Sequence, residues 1–218
     1  MELEIIARNW PLLAKGMGTT LQLLAGAAFL SLSFGFLFGI ATCSRLRVPV
    51  LSRVVEGITF TLRAIPFFVQ LLLIYFVIPH LLGFELNPLP AAIVSLGLCS
   101  SGYVAQSVKG GLNSIPVAQW ESCFVLGLSN GEGLRHVILP QLKGFLIPVL
   151  NNELEALLKS TSIASSIGLL ELTRAGMNIV SREMDPVPIY LTIAILYTSL
   201  SILLRVFLNY IERKYVES

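Results

Sequence analysis

The chain has 218 residues, of which 55% are hydrophobic and only 13% charged, with a formal net charge of +2. Soluble domains carry about a quarter charged residues, so too little charge is present to coat a water-facing surface. No nucleic-acid partner is expected.

Taken in chain order, the first twenty residues are mixed polar with Trp10 and Pro11. They lack the small-residue cleavage site of a secretory signal. Four stretches then carry no Asp, Glu, Lys or Arg: Leu21 to Thr42, Ala64 to Leu82, Leu86 to Val108 and Pro186 to Leu204. Each is close to the roughly 20 residues a helix needs to cross a hydrocarbon core. None alternates as a barrel strand would, so transmembrane helices are expected. A fifth span is expected around Phe145–Leu158, bounded by Lys143 and Lys159, although it contains Asn151, Asn152, Glu153 and Glu155. The expectation is therefore an all-α membrane protein forming a single domain over residues 1–218. Its spans lie near 20–42, 57–82, 86–108, 144–160 and 186–208, with a loop over 114–140.

Basic residues give an orientation. With the N-terminus outside, the inner side holds ten Lys and Arg, including Arg45, Arg47, Arg53 and Arg63 of the first loop, against five on the outer side. The positive-inside rule thus favours N-out and C-in. Cys43, Cys99 and Cys123 stand alone, and His80 and His136 lie in separate loops. These residues suggest neither a disulfide framework nor a metal cluster, and no catalytic residue is expected. No G-x-x-x-x-G-K-[ST] phosphate loop occurs, so any ATP is expected to bind a partner rather than this chain.

The loop over 114–140 is the most specific stretch. Pro116 suits a first helical turn, and Trp120, Cys123, Phe124 and Gly127 recur at three- and four-residue spacing as an apolar stripe. Gly127 can take the left-handed conformation that ends the helix. Ser129 followed by Glu132 is a capping box that starts another. A short helix-turn-helix with one apolar face is expected, suited better to docking a soluble partner than to lying on lipid, because it lacks the Lys/Arg flank of interfacial helices.

Glu121-Ser122-Cys123, then Gly127, then Val137-Ile138-Leu139-Pro140 resembles the E-A-A loop of bacterial ABC importer permeases. In that loop E-A-A-x-x-x-G is followed after nine residues by I-x-L-P. Ser122 and Cys123 stand where the loop has alanines, and Val137 where it has Ile. Further blocks resemble the subfamily that takes up polar amino acids such as histidine, arginine, lysine, glutamine and glutamate. They are Gly16–Leu21, Arg63–Gln70, Tyr103–Gln106 and Leu158–Ser165, followed by Ile167-Gly168 and Glu171-Leu172. The resemblance implies a type I importer permease of about five transmembrane helices in the bacterial cytoplasmic membrane. Trp120, Glu121, Ser122, Cys123, Phe124 and Gly127 would form its cytoplasmic coupling helix. It further implies two ATPase subunits that bind ATP, a second permease copy or paralogue, and an extracytoplasmic solute-binding protein.

Intramembrane polar residues offer pathway candidates. Glu153 either recognises a substrate cation or is a hydrated carboxylate near the interface. An ionised group at a helix centre costs about 2.5–3.5 kcal/mol on insertion scales, and Ser160 follows Glu153 within the same stripe. Ser162 on the adjoining segment, and Ser100, Tyr103 and Gln106 on the third span, either line the pathway or pack helix against helix. Glu155 stands four residues before Lys159, the favourable order for an intrahelical ion pair, and is read as structural. Arg63 and Pro66 are read as a structural corner. The competing readings are an exporter-type permease and a structural membrane subunit without a transport role. The second predicts that the 114–140 loop is dispensable.

Overall fold

A computed structural model describes residues 2–46 and 48–216, and no strand occurs among them. Arg47, counted above, lies outside the described residues. The chain opens with a 40-residue helix, α1 (Glu2–Ala41), about 60 Å long at 1.5 Å per residue. The span expected over 20–42 is therefore the second half of a helix that begins well before the apolar run. α2 (Pro49–Ala64) ends at Ile65 and Pro66, both extended with ψ of 127° and 136°. The Pro66 ring disfavours helical geometry at the residue before it.

α3 (Phe67–Leu72) passes through a π-turn (Leu73–Val77) into α4 (Ile78–Leu82). A second π-turn (Leu134–Ile138) joins α7 (Asn130–Gly133) to α8 (Leu139–Ser160). Both wide turns end two residues before a proline, Pro79 and Pro140. Proline offers no N–H to the carbonyl four residues back, so the ladder widens there. α5 (Pro88–Ser114), α6 (Val117–Val125), α9 (Leu172–Glu183) and α10 (Pro186–Val216) complete the helices, with a 3₁₀ segment over Thr161–Ile167. Glu4–Ala41, Pro88–Ser114 and Pro186–Lys214 are long and apolar enough to cross a membrane, and Pro49–Ala64 with Phe67–Leu82 makes a fourth if the broken pair is taken together. α8, the helix at the fifth expected span, has 22 residues but carries Lys143, Glu153, Glu155 and Lys159.

The fold divides into two compact units. One comprises Met1–Phe29, Pro66–Gly97 and Leu154–Val206. Leu23, Ala27, Leu71, Ala91, Leu96 and Leu158 centre its larger core, and Leu13, Leu172, Ile179 and Ile189 centre a second cluster. Small residues in such a core let helices approach closely, which is how packing is won where lipid is as apolar as the side chains.

The second cluster surrounds a fully buried carboxylate, Glu171, which caps α9. Its Oε1 accepts from the Arg174 N–H (2.7 Å), and its Oε2 from the Thr173 N–H (2.8 Å) and the Tyr197 hydroxyl (2.9 Å). Burial pushes the Glu171 carboxyl up from its ordinary range, and these donors pull it part of the way back. The neighbouring Leu172 N–H donates to Thr20 Oγ1 at 3.1 Å, which ties α1 to the same turn. The other end of α9 is tied to α1 as well. Arg8 donates to Glu183 at 2.6 Å, Asn9 to Glu183 at 3.3 Å and Arg182 to Asn9 at 2.9 Å.

The other unit comprises Leu30–Ile65, Leu98–Glu153 and Phe207–Ser218. Val104, Val108 and Leu112 of α5 pack with Ile138, Leu142 and Leu146. α2 lies close on α5 at Gly102, where a Cβ would come within 2.9 Å of Arg63 Cγ and 3.2 Å of the Thr59 carbonyl. The turn after α1 is held by Asn113, whose Oδ1 accepts from the Ser44 N–H (3.1 Å) and hydroxyl (2.7 Å).

Candidate functional site

Two features of the second unit carry chemistry. The first is α6. Pro116 is its N-cap rather than a residue within its first turn. Its C-terminus is a Schellman motif, in which Gly127 at φ 73° lets its N–H reach the Phe124 carbonyl (3.0 Å) while the Leu128 N–H reaches Cys123 (3.0 Å). The capping box then forms as expected. The Ser129 N–H donates to Glu132 Oε2 at 2.9 Å, and the Glu132 N–H to Ser129 Oγ at 3.3 Å. The Ser129 hydroxyl and N–H hold the Glu132 carboxyl below its ordinary range. The loop is thus fixed by local bonds at both ends of its turn.

The apolar stripe is not one face. Trp120 packs on the unit core and Cys123 is buried against Gly133. Phe124 points the other way, 81% exposed, in a run with Val125 and Leu126 at 83% and 75%. On an ideal helix both Cys123 and Phe124 lie within about 60° of Trp120, so it is the close approach of Cys123 to Gly133 that sets which of them turns inward. Ser122 spends its hydroxyl on the Ala118 carbonyl at 2.8 Å. Glu121 is exposed beside a shallow depression of about 500 Å³ lined by Ala118, Glu121, Ser122, Val125 and Leu126. Val125 and Leu126 were not among the expected coupling residues. Their signal in the sequence is their place in an apolar run, Cys123-Phe124-Val125-Leu126, directly before Gly127.

The second feature is a cavity of about 260 Å³ lined by Thr42, Glu56, Thr59, Arg63, Gln106 and Lys109, among others. Lys109 donates to Glu56 Oε1 at 2.6 Å, and Arg63 Nε to the Thr59 carbonyl at 3.2 Å. Gln106, a pathway candidate, therefore shares this cavity with Arg63, the residue read as part of a structural corner.

The other pathway candidates are dispersed. Ser100 is buried and accepts from the Ser31 hydroxyl at 2.7 Å, a helix-packing contact. Tyr103 is exposed and Glu153 half-buried, both in this second unit. Ser160 and Ser162, in the first unit, donate to the Ala156 and Lys159 carbonyls, each at 2.9 Å. Their polarity is satisfied within their own segment. The expected Glu155–Lys159 pair does not form. Glu155 lies 3.8 Å from Arg205 on α10 instead, while Lys159 stays exposed. An intrahelical pair is worth only about 0.2–0.5 kcal/mol, little enough for a partner on a packed neighbouring helix to displace it. Among the described residues no group of His, Cys, Asp or Glu is arranged to hold a metal ion.

Long apolar helices define a multi-pass membrane protein, and a short capped helix in it exposes an apolar tip. The chain belongs to the family of binding-protein-dependent transport system inner membrane components, which matches residues 31–217. It is 32% identical to the L-cystine transport system permease protein TcyB of Bacillus subtilis over 94% of this chain and 87% of that one. It is 30% identical to the glutamine transport system permease protein GlnP of Escherichia coli over 94% and 93% of the two chains. A crystal structure of an amino acid ABC transporter with histidines matches at a TM-score of 0.85 and 28% identity, covering 96% of both chains. The MetNI methionine ABC transporter in an inward-facing form shares the fold, with a TM-score of 0.81 at 22% identity over 94% of this chain and 96% of that one.

Proposed function

We propose that this chain is the membrane-spanning permease subunit of an ATP-driven importer for polar amino acids. The exposed Phe124–Leu126 tip carries the reading. It stands on the loop with the E-A-A spacing and is held rigid by the Schellman motif and capping box beside it. An apolar tip displayed in this way is a docking surface, and the partner that fits is an ATPase subunit, which binds the ATP. Similarity to permeases named for amino acids supports the substrate class.

The working complex has two permease chains, identical or paralogous, two ATPases on the cytoplasmic side and a solute-binding protein outside. The N-terminus is outside and the C-terminus inside, as the distribution of Lys and Arg favours. ATP-driven approach of the ATPases carries the two α6 helices with them and turns the pathway outward, and hydrolysis resets it. The test is gentle detergent purification of the native complex with identification of every co-purifying chain. A P-loop ATPase in equal amount is the expected result. Its absence, under conditions that keep known importers whole, refutes the reading.

A further inference from the structure

Arg63 is placed for more than a corner. Of its guanidinium only Nε is bonded, to the Thr59 carbonyl at 3.2 Å; among the described residues its terminal nitrogens have no acceptor. The Gln106 amide, exposed on the same cavity, has no hydrogen-bond partner among the described residues either. The other two charges on that cavity, Lys109 and Glu56, engage each other at 2.6 Å. The cavity therefore presents one guanidinium fork and one carboxamide. Arg63 is half-buried, and a guanidinium fork that has no acceptor in its own chain matches a carboxylate, which it binds through two parallel charge-assisted bonds.

The fork is also held in place. Nε is anchored to the carbonyl of its own helix, and Arg63 Cγ lies over Gly102, where any larger residue on α5 would push it away. The volume of about 260 Å³ falls just under the range of about 300–1,000 Å³ typical of drug-sized ligands. It suits the carboxylate end of a small solute.

We propose that Arg63 and Gln106 form a subsite for the α-carboxylate of the transported amino acid, with Arg63 as its cation and Gln106 as a second donor. The inference rests on the importer reading above and adds to it the group by which the permease holds its cargo. It assigns the site to the backbone carboxylate that all amino acids share, so it contributes affinity and leaves the choice of side chain to other residues.

The experiment uses the purified complex of this chain with its partner subunits, without ATP or binding protein. Equilibrium binding of the twenty standard amino acids and cystine identifies the one bound most tightly, and its α-carboxamide is then used as a competitor. The carboxamide is expected to compete at least about tenfold more weakly, because it lacks the charge that the fork pairs with. Arg63→Gln is expected to raise Kd by about ten- to a hundredfold, Arg63→Lys by less, and Gln106→Ala by several-fold. Assembly of each variant is checked by recovery of the ATPase. If Arg63→Gln does not assemble, Gln106→Ala and the carboxamide decide.

Equal competition by the carboxamide, an unchanged Kd in the variants, or no amino acid bound by the wild-type complex overturns the subsite. Loss of a co-purifying anionic phospholipid from Arg63→Gln, with Kd unchanged, overturns it in favour of a lipid headgroup. In each of these cases ATPase recovery with the wild type leaves the importer reading standing. Only failure to recover the ATPase removes both.

Discussion

The two ends of this protein's chemistry are built in opposite ways. The Glu171 turn places a carboxylate where none of it is exposed and surrounds it with three donors on two helices. The α6 tip does the reverse, placing Phe124, Val125 and Leu126 where nothing covers them. A buried polar group that is fully bonded fixes the geometry around it, because any other arrangement leaves donors unpaired. An exposed apolar group fixes nothing in its own chain and gains only when a partner arrives. The first is therefore a structural joint and the second is the contact surface proposed above, and substitutions should separate them.

The largest effect should come at the tip. Val125→Asp with Leu126→Asp should abolish co-purification of the ATPase and with it uptake, since contact anchors of this kind are worth about 2 kcal/mol or more each. The melting of the chain itself should change little, because both residues are already exposed. A large fall in melting temperature would mean that the tip supports the fold and that the contrast is false.

Glu171→Ala should do the opposite. Losing the cap costs about 1–2 kcal/mol, and leaving buried donors unpaired costs about 1–3 kcal/mol. Thermal melting of the purified complex should register the loss, with Glu171→Gln retaining part of the stability. ATPase recovery at low temperature should survive. Gly127→Ala sharpens the comparison at the rigid mount of the tip. The left-handed φ of 73° should cost about 1–2 kcal/mol in a residue with a Cβ, seen as weaker ATPase recovery with all the docking side chains unchanged.

The smallest effect is a pH dependence at the far end of α9. Hydrogen bonding from Asn9, together with the Arg8 contact, holds the Glu183 carboxyl below its ordinary value of 4.5. A depressed carboxylate contributes stability above its unfolded pKa and loses it as pH falls through the folded value. Hydrogen exchange in α9 should therefore be slower in the wild type than in Glu183→Gln at pH 7. The two should converge as the pH is lowered below 4.5. A difference that persisted unchanged in acid would show that the Arg8–Glu183 contact does not hold α9.

Some of this was open to reading along the chain. Charge-free runs mark helices because lipid admits no unpaired backbone group. Ser129 with Glu132, and Gly127, act through bonds to residues within a few positions of themselves. Such features depend on local sequence alone, and the structure repeats them. The spacing from Glu121 to Pro140 was legible for the same reason, since it lies within one loop.

Other features depended on which elements pack together. Helical spacing grouped Phe124 with Trp120 and Cys123, but only packing against Gly133 and the unit core decided that Cys123 turns in and Phe124 turns out. Lys159 was the nearest cation to Glu155 along the helix, yet Arg205, fifty residues further on, faces it. Arg63 reads as a corner beside Pro66 from the sequence, while the approach of α5 at Gly102, which brings Gln106 to the same cavity, belongs to the tertiary structure. The sequence alone determined the membrane class, the apolar helical runs and the capped turn after Gly127, because hydropathy and capping act over a few turns of chain. The inward and outward faces of α6, the partner of Glu155 and the surroundings of Arg63 were decided only by tertiary structure, because each depends on a helix distant in the chain.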